Sequence, residues 1–304
     1  MEASNGTGYP PINHSLHLSD HLWLAREGGA VEAYSIVENK LTEIVVFPFP
    51  DTQKIVGLFA HEHDQIMAVS SHGEIAFWSF SNPTVVVKKL PKSSNIQAVA
   101  KFDKFLAVGG KGTKENLKVF DLSDLSVLYA AKPTMDTRLN LPFNVDIRAI
   151  CFTSLEKPEK VAVVNADGQI FFYDFALKPS ALLHRQVLPK KSVLTSISRA
   201  ETDGTVIYAD VSGVIERYDL LKGKSCGRFK PQEGAVNSFL ISGNNSLLLT
   251  ASKDRFFRIF NLSTGSLLHK VYLKHSPATI TVTRQDWLKA YAQQYEDSGD
   301  EEIW

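Results

Sequence analysis

The sequence is poor in cysteine and contains no long apolar run. Only Cys151 and Cys226 occur in 304 residues, too few for a disulfide framework and typical of reduced intracellular thiols. No stretch approaches the ~18 consecutive apolar residues of a membrane-spanning helix. No apolar segment follows a basic start, as it would in a signal peptide. We therefore expect a soluble cytosolic or nuclear protein without membrane contact.

The chain also lacks a net charge, because 33 basic side chains balance 33 acidic ones. This balance excludes a chain that binds polyanions along its whole length. The charges are unevenly distributed: residues 88–118 carry eight lysines against two acids, whereas residues 1–64 have a net charge of −6 and residues 286–304 of −5. We predict that the basic sector binds phosphates and that the acidic regions face basic proteins. The alternative is an ordinary solvated set of charged loops.

A long-period repeat is the strongest indication of the fold. In each copy an aromatic residue is followed by Asp, Asn or Ser and then by a large apolar residue, as in Phe120-Asp121-Leu122. The six aromatic positions are spaced by 44, 42, 53, 45 and 42 residues: Tyr34, Trp78, Phe120, Tyr173, Tyr218 and Phe260. A period of about 40 to 45 residues that ends on a degenerate Trp-Asp pair is typical of a WD-repeat blade.

Glycine turns and short alternating stretches divide each repeat into strands. Four of the six aromatic residues have a glycine five positions earlier: Gly29, Gly73, Gly168 and Gly213. Glycine adopts φ > 0 at no steric cost, so these positions predict tight hairpins. Residues 65–69 and 75–78 flank one such turn as strands, and residues 161–164 and 170–173 flank another. We predict an all-β protein, a single WD40-type β-propeller with six blades, because a β-sandwich would not show this self-similarity.

The predicted division is a flexible segment over residues 1–20, the propeller over 21–284 and an acidic tail over 285–304. The first repeat starts at Leu22 without a preceding strand, whereas residues 278–283 form a surplus strand after the sixth. We therefore predict that this C-terminal strand closes the ring and covers both exposed edges. The 53-residue spacing contains an insertion, residues 133–143, which predicts a protruding loop.

Three sequence features could indicate a nucleotide-binding, metal or catalytic site, but each is better explained in another way. The segment Gly109-Gly110-Lys111-Gly112-Thr113-Lys114 resembles a phosphate-binding loop, but a strand follows where a helix is needed, so we predict an inter-strand hairpin loop. The histidine groups around His17 and His63 have no cysteine nearby and predict no zinc site. No spacing favours a Ser-His-Asp set. We expect no enzymatic activity, cofactor, metal or small-molecule substrate; a propeller hydrolase would need a central pocket with convergent titratable groups.

Several segments resemble the WD-repeat ribosome-assembly factors of the NOP-seven-associated family. Gly109-Gly110-Lys111 followed by Lys114-Glu115-Asn116-Leu117-Lys118-Val119-Phe120-Asp121-Leu122 is similar to that family's Gly-Gly-Lys-Glu-Asn…Leu-Lys-Val-Trp-Asp-Leu signature. Leu139-Asn140-Leu141-Pro142 through Asp146-Ile147 resembles the insertion and strand that come next. Asp254-Arg255, Arg258-Ile259 and His269-Lys270-Val271-Tyr272-Leu273-Lys274 resemble its final blade. The acidic ending with Trp304 resembles a motif beyond the family's propeller.

The resemblance implies a nucleolar, non-enzymatic scaffold of large-subunit ribosome biogenesis and pre-rRNA processing. Its implied partners are pre-ribosomal assembly factors, ribosomal RNA and a AAA-type ATPase that later removes it. The chain departs from the family in having six repeats rather than seven blades, so a repeat is lost or two are merged. It also lacks a basic tail after Trp304 to direct nuclear import. The alternative is a WD-repeat adaptor of another pathway, such as ubiquitin ligation or trafficking.

The candidate contact residues come from the matched segments, the insertion and the tail. Lysine is a flexible point charge that binds phosphate without reading base sequence. The insertion is more apolar than a free loop needs, and the tail combines acidic residues with an aromatic anchor. The candidates for binding partner proteins or RNA are Lys111, Lys114, Asn116, Lys118, Arg138, Leu139, Phe143, Arg255, Lys270, Tyr272, Lys274 and Trp304.

Overall fold

The computed structural model describes residues 12–283, apart from 28, 51–52, 63–64, 115, 134–143, 155, 157, 178–181, 189–191, 201 and 243–245. Within these residues the chain forms twenty-four β-strands and no helix. The same residues contain no helical segment with the length and apolarity needed to cross a bilayer. The strands are β1 (Ile12–Leu18), β2 (His21–Arg26), β3 (Ala30–Ser35), β4 (Lys40–Val46), β5 (Ile55–His61), β6 (Gln65–Ser70), β7 (Glu74–Ser79), β8 (Val86–Lys89), β9 (Ile96–Phe102), β10 (Phe105–Gly112), β11 (Lys118–Asp121), β12 (Val127–Ala130), β13 (Val145–Phe152), β14 (Lys160–Asn165), β15 (Gln169–Asp174), β16 (Leu182–Val187), β17 (Leu194–Arg199), β18 (Thr205–Asp210), β19 (Ile215–Asp219), β20 (Lys224–Arg228), β21 (Val236–Ile241), β22 (Leu247–Ser252), β23 (Phe256–Asn261) and β24 (Leu267–Tyr272).

The chain divides into two compact units, residues 1–89 and residues 90–304. The first unit contains two four-stranded antiparallel sheets, β1–β4 and β5–β8. The second contains the four-stranded sheets β17–β20 and β21–β24 and an eight-stranded sheet formed by β9–β16. In the larger sheet, β10 pairs with β9 and β11 and, at its end, with β13. The all-β class is confirmed, but six separate blades are not, because two sets of four strands share one sheet.

In the sets β5–β8, β17–β20 and β21–β24, the second strand is the most buried and the fourth the most exposed. Every residue of β18 and β22 is buried, whereas every residue of β8 and β20 is exposed. Successive residues of a strand point to opposite faces. In β18, Val206 and Tyr208 therefore enter the apolar cluster shared with β14, while Ile207 and Ala209 enter the cluster shared with β22. Burial on both faces explains why these strands are mostly apolar on both sides.

The repeated motif lies at the end of each third strand. Its aromatic residue is buried in five of the six repeats, Tyr34 being partly exposed. The polar residue that follows it caps the turn into the fourth strand: Asp219 Oδ1 accepts hydrogen bonds from the amides of Leu221 at 3.0 Å and Lys222 at 2.8 Å. These bonds, led by that from Lys222, hold the pKa of the Asp219 carboxyl below its usual range. Asn261 accepts two equivalent backbone bonds at 2.9 and 3.0 Å. The motif thus combines a core anchor with a turn cap.

The predicted closure by a C-terminal strand is wrong. Residues 278–283 form no strand, and Ile280 and Val282 pack instead against apolar residues of β22 and β23. The first repeat does have a first strand of its own, since β1 pairs antiparallel with β2. This strand begins inside the segment 1–20 that the sequence marked as flexible, so β structure extends at least to Ile12. The other domain boundaries stay a prediction.

The glycine turns predicted from the repeat are confirmed. The four glycines lie between second and third strands with φ between +72° and +88°: Gly29, Gly73, Gly168 and Gly213. At Gly213 the space is restricted as well, because a Cβ atom there would lie 2.1 Å from the backbone oxygen of Gln232. The position therefore requires glycine for both backbone conformation and close approach.

We expect Gly213→Ala to lower the free energy of unfolding by about 2 kcal/mol or more, from left-handed strain and displacement of the adjacent backbone. The matched control is Gly227→Ala in β20, where a Cβ atom would meet nothing closer than Arg217 Cβ at 3.9 Å. The control should change stability by less than about 0.5 kcal/mol. Urea unfolding of both variants measures the difference, and equal midpoints would contradict the close-approach argument.

Candidate functional site

The structure places the described candidate residues in two regions of the second unit. Lys111, Lys114, Asn116 and Lys118 lie at the end of β10 and the start of β11, and Arg255, Lys270, Tyr272 and Lys274 lie on or beside β23 and β24. The remaining candidates lie outside the described residues: Arg138, Leu139, Phe143 and Trp304. Their roles stay predictions.

The glycine-lysine segment is a strand end rather than the predicted hairpin loop. Residues 109–112 belong to β10, and the backbone amide of Lys111 donates to the Asn95 carbonyl at 3.1 Å. A Cβ atom at Gly110 would lie only 2.0 Å from that same carbonyl oxygen. The consecutive glycines therefore allow close backbone approach within the sheet, and the Lys111 amide is bonded there.

Most polar groups of the β10–β11 region are engaged within the fold. The Lys111 ammonium lies 3.8 Å from the Asp146 carboxylate, and Arg148 lies 2.9 Å from the same oxygen. Lys118 donates to the backbone carbonyl of Lys92. Lys114, exposed in the turn before β11, has no such contact in the described part of the chain.

Asn116 has a structural position in this region. Its side chain is buried, and its Nδ2 donates to the Lys132 carbonyl at 3.0 Å, which joins the turn before β11 to the segment after β12. Its Oδ1 is buried without a hydrogen-bond partner among the described residues. The side chain is therefore directed into the fold and does not form part of an exposed contact surface.

Two predicted residues of the last sheet, Lys270 and Tyr272, contact Phe256, which the sequence pattern did not indicate, and a third, Arg255, contacts Tyr272. Phe256 of β23 pairs with Tyr272 of β24, and their rings meet edge to face with centroids 5.3 Å apart. The Lys270 ammonium lies 4.0 Å from the centroid of the Phe256 ring. Arg255 Nη1 donates to the Tyr272 hydroxyl at 3.3 Å. We call Arg255, Phe256, Lys270, Tyr272 and Lys274 the β23–β24 surface.

A buried ion pair stabilises the turn between β22 and β23, next to this surface. Arg258 Nη2 lies 2.6 Å from Asp254 Oδ2, with both side chains at most 8% exposed. The same guanidinium donates to Gln232 Oε1 at 3.1 Å, and Gln232 in turn donates to Thr250 Oγ1 at 2.7 Å. Burial alone would raise the pKa of the Asp254 carboxyl, but hydrogen bonds from Arg258 and from the Phe256 amide hold it below its usual range.

The β23–β24 surface is strongly cationic. Residues 253–275 contain five basic side chains against Asp254 alone, a net charge of +4. Because Arg258 neutralises Asp254, that charge falls on four exposed side chains: Lys253, Arg255, Lys270 and Lys274. None of these four forms an ion pair within the described residues. The arrangement can attract an anionic partner and offer it an aromatic ring.

The described residues show no arrangement that points to catalysis. They contain no group of three or more His, Cys, Asp or Glu side chains that could hold a metal. Burial raises the pKa of the Cys151 thiol to about 12, far from that of a thiolate nucleophile. A cavity of about 240 Å³ beside β7 is lined by Phe77, Trp78, Val86 and uncharged polar residues, without a titratable group.

The chain is similar in sequence to several WD-repeat proteins. It is 30% identical over 203 residues to a WD repeat-containing protein of Dictyostelium discoideum, covering 66% of this chain and 37% of that protein. It is 28% identical to bovine WD repeat-containing protein 74, covering 64% of this chain and 52% of that protein. The chain thus spans about half or less of these curated relatives. No protein-family model matches it.

A further relative aligns along nearly the whole chain. The ribosome biogenesis protein NSA1 of Yarrowia lipolytica is 24% identical over 92% of this chain and 78% of its own length. Its namesake in Meyerozyma guilliermondii is 23% identical over 72% of this chain and 64% of that protein. Coverage of 92% means that this alignment includes most of the first hundred residues.

Solved structures show the same fold at low sequence identity. The WD40 β-propeller domain of Doa1 matches with a TM-score of 0.71, 14% identity, and coverage of 90% of this chain and 88% of that chain. Raptor of Chaetomium thermophilum matches with a TM-score of 0.73 and 13% identity over 90% of this chain and 26% of that chain. The predicted WD40-type β-propeller fold is confirmed, and its blade number stays a prediction.

The buried ion pair below the β23–β24 surface makes a testable contribution to stability. Asp254→Asn leaves the Arg258 guanidinium buried without its counter-charge, so we expect a loss of about 3 to 5 kcal/mol at pH 7. The control, Glu27→Gln, removes the exposed ion pair to Lys54 and should cost less than about 1 kcal/mol. Denaturant unfolding measures both changes.

The same variant should show a defined pH dependence. Because the folded-state pKa of Asp254 is depressed, its carboxylate stabilises the fold above the unfolded pKa of about 3.9, and this stability is lost as pH falls through the folded value. The stability difference between the unmodified protein and Asp254→Asn should therefore shrink below pH ~4. A difference that stays constant at lower pH would contradict the assignment.

Proposed function

We propose that this chain, a WD-repeat protein with a WD40-type β-propeller fold, is a non-enzymatic scaffold of large ribosomal subunit biogenesis. In this role it binds pre-ribosomal assembly factors and ribosomal RNA in the nucleus and nucleolus. A AAA-type ATPase would later release it from the precursor particle. The observation that carries the proposal is the alignment of 92% of the chain with a protein named for ribosome biogenesis.

The placement of the matched segments supports this proposal. The segment from Gly109 to Leu122 forms the end of β10 and the whole of β11, and His269 to Lys274 forms the outer strand of the last sheet and the residues that follow. The second segment is exposed over most of its length. Outer strands contribute little to the core, so charged and aromatic residues there favour contact with partners.

Affinity purification from nuclear extract tests the scaffold proposal. We expect the tagged full-length chain to enrich large-subunit assembly factors, ribosomal proteins and precursor rRNA over a tagged unrelated WD40 propeller. Mass spectrometry and RNA sequencing of the eluate measure both classes. Enrichment of ubiquitin-ligase, coat or translation-initiation subunits without precursor rRNA would overturn the proposal and favour an adaptor in another pathway.

The insertion 133–143 provides a second test, since its apolar residues remain candidates for protein contact. We expect Leu139→Ser with Phe143→Ser to reduce capture of partner proteins at least several-fold while leaving the melting temperature nearly unchanged. The control pair, Val127→Ser with Leu128→Ser, changes apolar residues of the exposed strand β12 that are 44% and 40% exposed. Strong destabilisation with intact capture would show that the insertion only packs against the fold.

A further inference from the structure

The turn between β22 and β23 carries an arginine where four of the other five repeats carry glycine. Arg255 lies five residues before Phe260, as Gly213 lies five before Tyr218. Both close the same turn, because Arg255 N donates to Ser252 O at 3.1 Å and Gly213 N donates to Asp210 O at 3.2 Å. Arg255 has a φ of +66°, in the left-handed region that is unfavourable for a side chain with a Cβ atom. Glycine would remove this strain at position 255, whereas the arginine side chain adds the contacts described next.

Those contacts orient an exposed aromatic ring. Tyr272 is 57% exposed, yet its hydroxyl accepts a hydrogen bond from Arg255 and its ring meets Phe256 at an interplanar angle of 62°. An edge-to-face contact leaves at least one face of the tyrosine ring uncovered by Phe256. An exposed ring that is already held in place loses little conformational entropy when a flat group stacks on it.

Cations flank the ring along the same strand. Lys270 and Tyr272 are two residues apart on β24, so they share a face at a spacing of about 7 Å. Lys274 follows the end of the strand. Arg255 lies in the turn before β23, where its carbonyl accepts a hydrogen bond from the Leu273 amide at 2.7 Å. Lysine donors spaced along a backbone neutralise phosphates, while the aromatic face is free to accept a base.

From this geometry we propose that the β23–β24 surface binds single-stranded RNA, with Tyr272 stacking on an unpaired base and Arg255, Lys270 and Lys274 contacting the flanking phosphates. The inference rests on the proposed function, for which it names the RNA class and the residues. Unpaired bases are required because a duplex keeps its base faces stacked internally. The β10–β11 region is less suited, since the Asp146 carboxylate lies 3.8 Å from Lys111. In the described residues no carboxylate forms an ion pair with Arg255, Lys270 or Lys274.

Fluorescence anisotropy with a labelled 12-nucleotide single-stranded RNA, at several salt concentrations, tests the proposal on the full-length chain. We expect Tyr272→Ala to weaken binding by about 5- to 150-fold, the range for loss of one stacked base. Tyr272→Phe keeps the ring and should bind far more tightly than Tyr272→Ala. Lys270→Ala with Lys274→Ala should reduce the slope of log affinity against log salt by about 1.4. The control pair Lys224→Ala with Lys230→Ala, exposed in the preceding sheet and after it, should leave the affinity unchanged.

Arg255→Gly separates binding from folding. It relieves the left-handed strain, so the unfolding midpoint should stay the same or rise, while RNA affinity falls through loss of one cation and of the bond to Tyr272. A structural role alone would instead lower the midpoint. Duplex RNA of the same length and poly-glutamate serve as competitors, and both should compete much more weakly than unlabelled single-stranded RNA.

Three results would overturn the proposal: no binding of single-stranded RNA by the intact chain, equal binding by Tyr272→Ala, or poly-glutamate competition as strong as that of RNA, which would indicate an acidic protein partner. Failure here is distinguishable from failure of the scaffold proposal. If Tyr272→Ala and the intact chain bind RNA equally but the chain still purifies with assembly factors, only the RNA surface is wrong. If RNA binds as expected but no pre-ribosomal protein is enriched, the scaffold proposal is the one that falls.

Discussion

The inner strands of the second unit are buried on both faces, and this burial determines where polar binding residues can be located. In β18, alternate residues enter two different apolar clusters, one shared with β14 and one shared with β22. Each fully buried large side chain contributes about 1.5 to 3 kcal/mol relative to exposure, so a polar replacement on either face is costly. Neither face of such a strand can therefore carry a binding group. Variation is left to the turns, the strand ends and the fourth strands, and the described candidate contacts lie in these places.

The same constraint explains which parts of the fold can be predicted from the sequence. Each repeat has to bury an inner strand and to form tight turns. For this reason three features recur: apolar runs such as Val161–Val164, glycines with positive φ and polar residues that cap a turn. Strand β1 escaped prediction because its sequence, Ile-Asn-His-Ser-Leu-His-Leu, has no fully buried residue and hence no strong apolar pattern. The surplus strand at 278–283 was misassigned for the converse reason. Its alternation of threonine with apolar residues is typical of a strand, yet Ile280 and Val282 pack against the last sheet without strand pairing.

The candidate site was predictable only in part, because its members are joined by register rather than by sequence proximity. Arg255, Lys270 and Tyr272 were identified from a family resemblance, which carried no information about their mutual distance. Phe256 was missed because a lone aromatic residue after a turn is ordinary in a β protein. Knowing that β23 and β24 are antiparallel is insufficient; the pairing Phe256↔Tyr272 must be known before the ring contacts follow. Conversely, Asn116 was a reasonable surface candidate by residue type, and only its burial reveals its structural position.

The turn at Arg255 shows how one fold can separate stability from recognition. Four other repeats place glycine at the corresponding position, which lets the second and third strands join without strain. In the last repeat the turn is held instead by Asp254, whose carboxylate binds both Arg258 and the Phe256 amide. These bonds of Asp254 stabilise the turn and can offset the backbone strain of the left-handed Arg255. The position therefore does not require glycine. The segment 254–258 thus provides both the buried ion pair between Asp254 and Arg258 and the exposed cation Arg255. The ion pair stabilises the turn, and the stabilised turn allows Arg255 to be exposed to a partner.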